Sequence, residues 1–310
     1  MAFPPLKSRQ LQVIILPMAL LLALPFLIPS YYVTIMAYAL TLALIALGVN
    51  FLLAHGEMPS FGHAAFYALS GYTAAIAFSW YGIPAWLSFI LGVLVAMAVG
   101  FGIAPIFVRR RGIYFAILTL VFGEVIHRVF WYTKAVGGSD GMSLPVWFDR
   151  VSGYYIILFL LFIGCLLFYT ISNTPFGRAL KAIGENELRA AFIGYNISLY
   201  KMMAFALSGI FPALAGAFRM GYDGFICPEF ASVHISAEAV VVSFLGGIGS
   251  ILGTIIFSVF ITLLLHILAS YWLGYAMVIG IMVILVVLFI PGGVIPLLRI
   301  RLARKSGGRG

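Results

Sequence analysis

The sequence predicts an all-α protein that crosses a membrane many times. Of its 310 residues, 64% are hydrophobic and 9% are charged, whereas a typical soluble chain is roughly half apolar and about 25% charged. Such a chain cannot cover its surface with polar groups in water, so lipid is its expected solvent. At about 20 apolar residues per crossing, this length holds roughly eight to eleven spans and leaves no room for a sizeable aqueous domain. We therefore expect one transmembrane domain over residues 1–310.

Apolar runs separated by polar or Gly- and Pro-rich connections mark about ten predicted segments. The first run is long enough to span, and no small-residue cleavage pattern follows it, so we interpret it as a retained helix rather than a signal peptide. The eighth is too short to cross as an independent helix. In chain order the predicted segments are 11–29, 32–54, 63–80, 84–108, 113–132, 153–171, 201–220, 236–244, 251–270 and 274–290.

The positions of the basic residues favour ten segments with both termini in the cytoplasm. With the N-terminus inside, 14 of the 18 Lys and Arg residues fall on the cytoplasmic side. They are two near the N-terminus, three after the fourth segment, four after the sixth and five in the tail. Nine segments would export the basic tail at 294–310, against the positive-inside tendency. The net charge of +9 is thus explained by membrane topology, and we expect no nucleic acid partner.

Two interrupted stretches indicate where a translocation path would lie. Glycines and a proline break the chain at Gly56–His63, and glycines break it again at Gly246–Ser250. Broken helices are tolerated at membrane depth only where protein or a water-filled cavity receives the freed backbone groups. Paired breaks in two five-span halves of opposite orientation would fit an inverted repeat, although the halves share no direct identity. The residues expected to line the path are Ser60, Phe61, Gly62, His63, Gly246, Gly247 and Gly249.

Polar residues inside the spans are few. Glu124, His127 and Arg128 share one helix face near the predicted outer end of the fifth segment. They form either an ion pair that lets Arg128 reach the interface or a polar patch at the outer mouth of the path. Glu57 and Glu238 each lie at the start of an interrupted segment, where interfacial position alone would also explain them.

The sequence contains no constellation typical of an enzyme or a metal site. We find no Ser-His-Asp order, no phosphate-binding loop and no His pair at ligand spacing. The two cysteines, Cys165 and Cys227, are interpreted as small buried hydrophobic residues. A proton relay would need several carboxylates deep in the spans, and this sequence has almost none. We therefore expect a chain that is not an enzyme and binds no metal.

The longest soluble-looking stretch, residues 173–200, predicts two short helices at a sharp angle. The first covers Phe176–Ile183, and Gly184, Glu185 and Asn186 form a break. The second covers Glu187–Ile193 and ends at Gly194, a residue suited to a left-handed C-terminal position. The stretch is either an amphipathic interfacial loop or a docking element that lies in a groove of a soluble partner.

Several short motifs between about Ala46 and Gly293 carry a family resemblance. They are Gly48-Val49-Asn50, Gly56–Phe66, Gly71–Ala75, Arg111–Ile117, Phe122-Gly123-Glu124, Gly137–Gly141, Pro175–Leu180, the loop at Gly194, Glu238–Gly249 and Phe289–Gly293. In this order they resemble the permease subunits of branched-chain amino acid ABC importers, specifically the second of that family's two permease types. The chain departs from the family where Glu57 replaces a common Gln, and where Glu187 precedes Gly194 by seven residues instead of six.

The resemblance implies the permease subunit of an ATP-driven importer in the bacterial inner membrane. Its expected partners are a second homologous permease, two cytoplasmic ATPases, a periplasmic substrate-binding protein and the lipid bilayer. ATP would be used by the ATPases, and this chain would bind no cofactor. The implied substrates are branched-chain or other hydrophobic amino acids. The alternatives are urea, amides or other small organic solutes, or, less favoured, an ion-coupled secondary transporter.

The resemblance also assigns residues 173–200 as a cytoplasmic coupling loop that docks on the ATPases. The coupling residues that it implies are Gly184, Glu185, Asn186, Glu187, Ala190, Ala191 and Gly194.

Overall fold

The computed structural model describes residue 18, residues 20–271 and residue 277, and this part of the chain is predominantly helical. The tail at 294–310 and nearly all of the tenth predicted segment lie outside the described residues, as does part of the first. Helix α1 is described over 20–27. The other helices are α2 Ser30–Gly56, α3 His63–Tyr81, α4 Ala85–Phe107, α5 Ile113–Tyr132, α6 Arg150–Asn173, α7 Pro175–Glu185, α8 Glu187–Phe192, α9 Ile197–Ser208, α10 Ile210–Asp223, α11 Val233–Gly246 and α12 Ile251–Tyr271.

Six helical stretches among the described residues are long and apolar enough to cross a membrane. They are α2, α4, α5, α6, the joined stretch Ile197–Asp223 and α12. The prediction of a polytopic all-α protein is therefore confirmed. Helix α3 has 19 residues but is less apolar, and α11 has 14. At about 1.5 Å per residue, α11 is roughly 21 Å long, short of the roughly 30 Å hydrocarbon core.

Helix α2 lies at the centre of the bundle. From Val33 to Gly56 almost all of its residues are buried, and it contacts α3, α6, α7 and the four helices from α9 to α12. A helix that is apolar on every side either lies in a protein interior or spans a membrane, and the contacts of α2 place it in the interior of the bundle. Its small residues permit close packing: a Cβ on Gly48 would lie 2.5 Å from the Ser208 carbonyl oxygen at the end of α9.

The seventh predicted segment begins earlier than expected and is broken in two. It starts at Ile197, where the Asn196 side chain accepts a hydrogen bond from the Leu199 amide at 3.1 Å, an N-cap that the sequence prediction missed. The break at Gly209 precedes Pro212, which has no amide to donate to the carbonyl four residues back. Lys201, expected as the first residue of this segment, therefore lies one turn inside α9.

The end of the bundle opposite α7 and α8 is closed by two connections that pair with each other. Strand β1, Met142–Ser143, pairs antiparallel with β2, Phe225–Ile226. Further backbone hydrogen bonds join Leu144 to Gly224 and Trp147 to Gly221 at 2.8 Å each. Three short 3₁₀ helices complete these connections: Lys134–Val136, Gly138–Asp140 and Pro228–Ala231. The chain from α5 to α6 is thereby fixed to the end of α10.

The break between α11 and α12 is held by one buried side chain. Asn50 of α2 donates from Nδ2 to the Gly247 carbonyl at 3.2 Å and to Thr254 Oγ1 at 2.8 Å. Its Oδ1 accepts from the Gly249 amide at 2.6 Å. Asn50 is fully buried, so it supplies at this turn the partners that water would supply elsewhere.

We predict that Asn50→Ala destabilises the protein by about 1 to 3 kcal/mol for each buried polar group left unpaired at the turn. Thermal unfolding of the purified protein in detergent measures the change. Asn173→Ala is the matched control, because Asn173 is an amide with one exposed hydrogen bond, to the Tyr169 carbonyl at 2.7 Å. Equal melting temperatures for the two variants would contradict the role given to Asn50.

Candidate functional site

The predicted coupling loop packs against the end of α2. Thr174 caps α7 by accepting a hydrogen bond from the Gly177 amide at 3.3 Å, and Pro175 occupies the first turn. The buried face of α7 carries Leu180 and Ile183. A Cβ on Gly184 would lie 3.0 Å from the His55 carbonyl oxygen, so α7 approaches the α2 backbone closely.

The two short helices are confirmed, but the predicted three-residue break is wrong. Gly184 and Glu185 form the last turn of α7, and Asn186 alone separates the helices. Asn186 caps α8 by accepting a hydrogen bond from the Arg189 amide at 2.9 Å, which is why one residue suffices for the turn. Gly194 adopts φ +98°, as its predicted left-handed position requires.

Ion pairs fix one face of α8 to the helical bundle. Glu187 contacts Lys201 of α9 and also Arg111, which precedes α5. The Lys201 side chain is 3% exposed and that of Glu187 is 12% exposed, so this pair is largely withdrawn from solvent. Ala190 is buried on the same helix. In the sequence, Lys201 was counted only among the basic residues that indicate membrane topology. Its contact with Glu187 was missed because the two residues are 14 positions apart and meet only when α8 packs against α9.

The other face of α8 is exposed and apolar. Leu188 is 67% exposed, Phe192 90% and Ile193 71%, while Ala191 and Gly194 are also exposed. Leu188 and Phe192 are four residues apart and therefore neighbours on the helix surface. Such a face suits either a groove of a partner protein or the membrane interface. Helix α8 is thus anchored on one side and exposes an apolar surface on the other.

The residues Ser60–His63 are packed closely between α3, α5 and α11. The Phe61 amide donates to Thr119 Oγ1 of α5 at 3.1 Å, and the Ala64 amide donates to Ser236 Oγ of α11 at 2.9 Å. Ser60 and His63 are fully buried, with Ser60 Oγ 3.2 Å from His63 Nδ1. Side chains of other helices therefore satisfy the freed backbone groups of this break.

The two predicted path segments lie on different faces of α2. Gly48 packs beside His63, whereas Asn50 binds the turn that contains Gly247 and Gly249. Residues two positions apart on a helix differ by about 200° around the axis and about 3 Å along it. Both breaks are thus close to one level of α2 but on opposite sides. Gly246 approaches Gly253 of α12 so closely that neither position has room for a Cβ.

The predicted outer polar patch forms on α5. Arg128 Nε donates to Glu124 Oε1 at 2.8 Å, and both side chains are substantially exposed. His127 Nε2 lies 3.6 Å from Glu229 Oε1 in the turn Pro228–Ala231. The patch is five to nine residues beyond Thr119, about 7 to 14 Å along the axis, so it lies apart from Ser60–His63. Its two interpretations remain predictions.

A second charged cluster was missed by the sequence analysis. Arg219 pairs with Asp223 on α10, and the Arg219 Cζ lies 3.6 Å from the centroid of the Tyr38 ring. The Tyr38 hydroxyl donates to Asp223 Oδ1 at 3.1 Å. The signal was present in the sequence as an Arg and an Asp four residues apart within an apolar segment. Glu238, which the sequence placed at the start of an interrupted segment, lies on α11. Its Oε1 is 3.2 Å from His234 Nδ1.

The fold and these sites define a class of protein. A bundle of apolar helices with internally satisfied breaks is typical of a membrane transport protein, and here an anchored loop helix exposes an apolar face at one end of the bundle.

Comparison with known proteins then gives the family. The family described as "Branched-chain amino acid transport system / permease component" matches residues 31–290, and the chain belongs to it. It is therefore a multi-pass transport component of the inner membrane.

Individual relatives are similar in sequence to more than half of the chain. The high-affinity branched-chain amino acid transport system permease protein LivM of Salmonella typhimurium is 27% identical over 92% of this chain and 75% of its own length. The protein of the same name from Escherichia coli is 26% identical over 94% and 76%. The fructose import permease protein FrcC of Rhizobium meliloti is 28% identical over 56% of this chain and 52% of its own. No solved structure matches the chain.

We predict that Glu187→Ala destabilises the protein by roughly 3 to 5 kcal/mol, because it leaves the buried Lys201 ammonium without its partner. Thermal unfolding in detergent measures this. Glu185→Ala, the same change at an exposed position two residues earlier, should alter stability by less than about 0.5 kcal/mol. The double variant Glu187→Ala/Lys201→Met should regain most of the loss. If Glu187→Ala is as stable as Glu185→Ala, the ion pair does not anchor α8.

Proposed function

We propose that this chain is the permease subunit of an ATP-driven importer for branched-chain or other hydrophobic amino acids. It receives substrate from a periplasmic binding protein and releases it to the cytoplasm by alternating access. The names of two relatives that are similar over more than nine-tenths of the chain support the amino acid substrate. The fructose permease is similar over a smaller share, so it supports the transport role more than the substrate.

The two-sided construction of α8 is the observation that carries this proposal. A docking helix transmits force only if its partner binds one side of it and the bundle contacts the other side. Leu188, Phe192 and Ile193 offer the partner an apolar surface. The contacts of Glu187 with Lys201 and Arg111 connect that surface to α9 and to the start of α5. Closure of a pair of ATPases would then move α8, and rigid helices would carry the motion into the bundle.

The remaining features of the assembly belong to the same proposal. The N- and C-termini lie in the cytoplasm, ten segments cross or enter the membrane, and residues 173–200 with the basic tail at 294–310 face the cytoplasm. Two ATPases bind from that side and a second permease completes the pore. The ATPases bind and hydrolyse the ATP, and this chain supplies neither an ATPase site nor a cofactor site.

Reconstitution tests the proposed function. The chain is placed in liposomes with its ATPases and second permease, and the binding protein is added outside. We expect leucine uptake that requires ATP inside and the binding protein outside, and that excess urea or acetamide leaves unchanged. Uptake by the chain alone in an ion gradient would instead identify a secondary transporter, and competition by urea or acetamide would reassign the substrate.

We predict that Gly194→Val uncouples ATP hydrolysis from uptake in these liposomes. A β-branched residue at φ +98° costs about 1 to 2 kcal/mol or more, and this strain displaces the end of α8 from its docking position. Gly194→Asn is the matched control, because Asn tolerates left-handed conformations and a Cβ at Gly194 meets open space. Leucine molecules imported per ATP hydrolysed should fall severalfold for Val and stay near wild type for Asn. Normal coupling in Gly194→Val would count against the docking role.

A further inference from the structure

A cavity of about 300 Å³ lies at the end of the bundle opposite the predicted coupling loop. On α2 it is lined by residues between Ile35 and Ile45, which lie about 16 to 32 Å along the axis from Gly56. Helices α3, α10, α11 and α12 provide the other walls. Its polar lining residues include Tyr38, Thr41, Tyr67, Arg219, Glu238 and Thr262.

The cavity carries one positive and one negative side chain on different helices. Arg219 projects from α10 and Glu238 from α11, and their side chains are 24% and 19% exposed. Ionisable side chains at membrane depth are costly, so those that occur there line cavities or pair with other groups. A site with both charges matches a ligand that itself carries both.

The contacts of Arg219 leave part of its guanidinium available. Its Nε pairs with Asp223, and one face of the group lies on the Tyr38 ring. Within the described part of the chain, its terminal nitrogens form no hydrogen bond. Asp223 and Tyr38 therefore fix the group while leaving a pair of N–H donors, the arrangement that binds a carboxylate through two parallel hydrogen bonds.

We propose that this cavity binds the zwitterionic head of the transported amino acid, with its carboxylate at Arg219 and its ammonium at Glu238. The proposal rests on the function proposed above and adds a substrate site to it. The aliphatic side chain would pack against Ile35, Leu42 and Ile45 of α2, which line the same cavity. The volume lies at the lower end of the range for small-molecule sites and suits a single amino acid.

A neighbouring cavity of about 460 Å³ provides an approach to this site. It is lined by Val146 and Phe148, which lie between α5 and α6, and by Asp223. It shares Ile35, Tyr38 and His266 with the first cavity. The Arg219–Asp223 pair therefore lies between the two spaces. A ligand that enters beside the connection between α5 and α6 meets the Arg219–Asp223 pair first.

Cysteine protection tests the site without depending on ATP. Thr262→Cys is introduced in a Cys227→Ser background, because Thr262 lines the cavity and Cys227 is only partly buried. The permease is assembled with its ATPases in nanodiscs, without the binding protein, and is labelled with a small thiol reagent. We expect leucine to slow the labelling, and 4-methylpentanoate and isoamylamine, which each lack one charge, to require far higher concentrations.

Substitutions identify the residues. Arg219→Gln and Glu238→Gln should each raise the leucine concentration for half-protection about 10- to 100-fold, as loss of one charge-assisted contact predicts. Arg110→Gln, which removes an exposed charge between α4 and α5, should leave it unchanged. Each variant must still co-purify with the ATPases and hydrolyse ATP.

Protection that is absent in the parent protein, or that persists in both cavity variants, would overturn the site. A chain that is not an importer would instead fail the liposome uptake assay before any substitution is made. The two failures are therefore distinguishable.

Discussion

The absence of water at membrane depth is the constraint on which this structure depends. Wherever a helix is interrupted, the freed amides and carbonyls need partners from within the protein. Asn50 supplies them at the Gly246–Ser250 turn, while Thr119 and Ser236 supply them to the chain that enters α3. All three side chains are fully buried. Each break is thereby hydrogen-bonded to a side chain of another helix, so both interruptions are fixed parts of the bundle.

The central position of α2 links the two ends of the molecule. One end of α2 packs against α7 through His55 and Gly184, and its other half lines the cavity that contains Arg219. Packed helices transmit displacement, so in the proposed mechanism a movement of the exposed face of α8 would reach the cavity through few contacts. The ion pairs of Glu187 are the first of these contacts.

Local patterns in the sequence were sufficient for most of the described helices and for the two short helices of the predicted coupling loop. Hydropathy located the spans, and Gly194 marked the end of α8, because these signals lie within one turn of the residues they affect. The central position of α2 could not be predicted, since lipid and protein interior select equally apolar side chains. The role of Asn50 depends on a turn 197 residues away. The burial of Lys201 followed from the Asn196 cap, which starts α9 one turn earlier than expected.

We expect the contact of Glu187 with Lys201 to make α8 and α9 move as one body. Spin labels on Arg189→Cys of α8 and Met203→Cys of α9, both at exposed positions, measure it by pulsed electron paramagnetic resonance in the assembled transporter. The α8–α9 distance should be the same without nucleotide and with ATP bound, while the distance from Arg189→Cys to Leu94→Cys on α4 should change. An α8–α9 distance that shifts on ATP binding would contradict it.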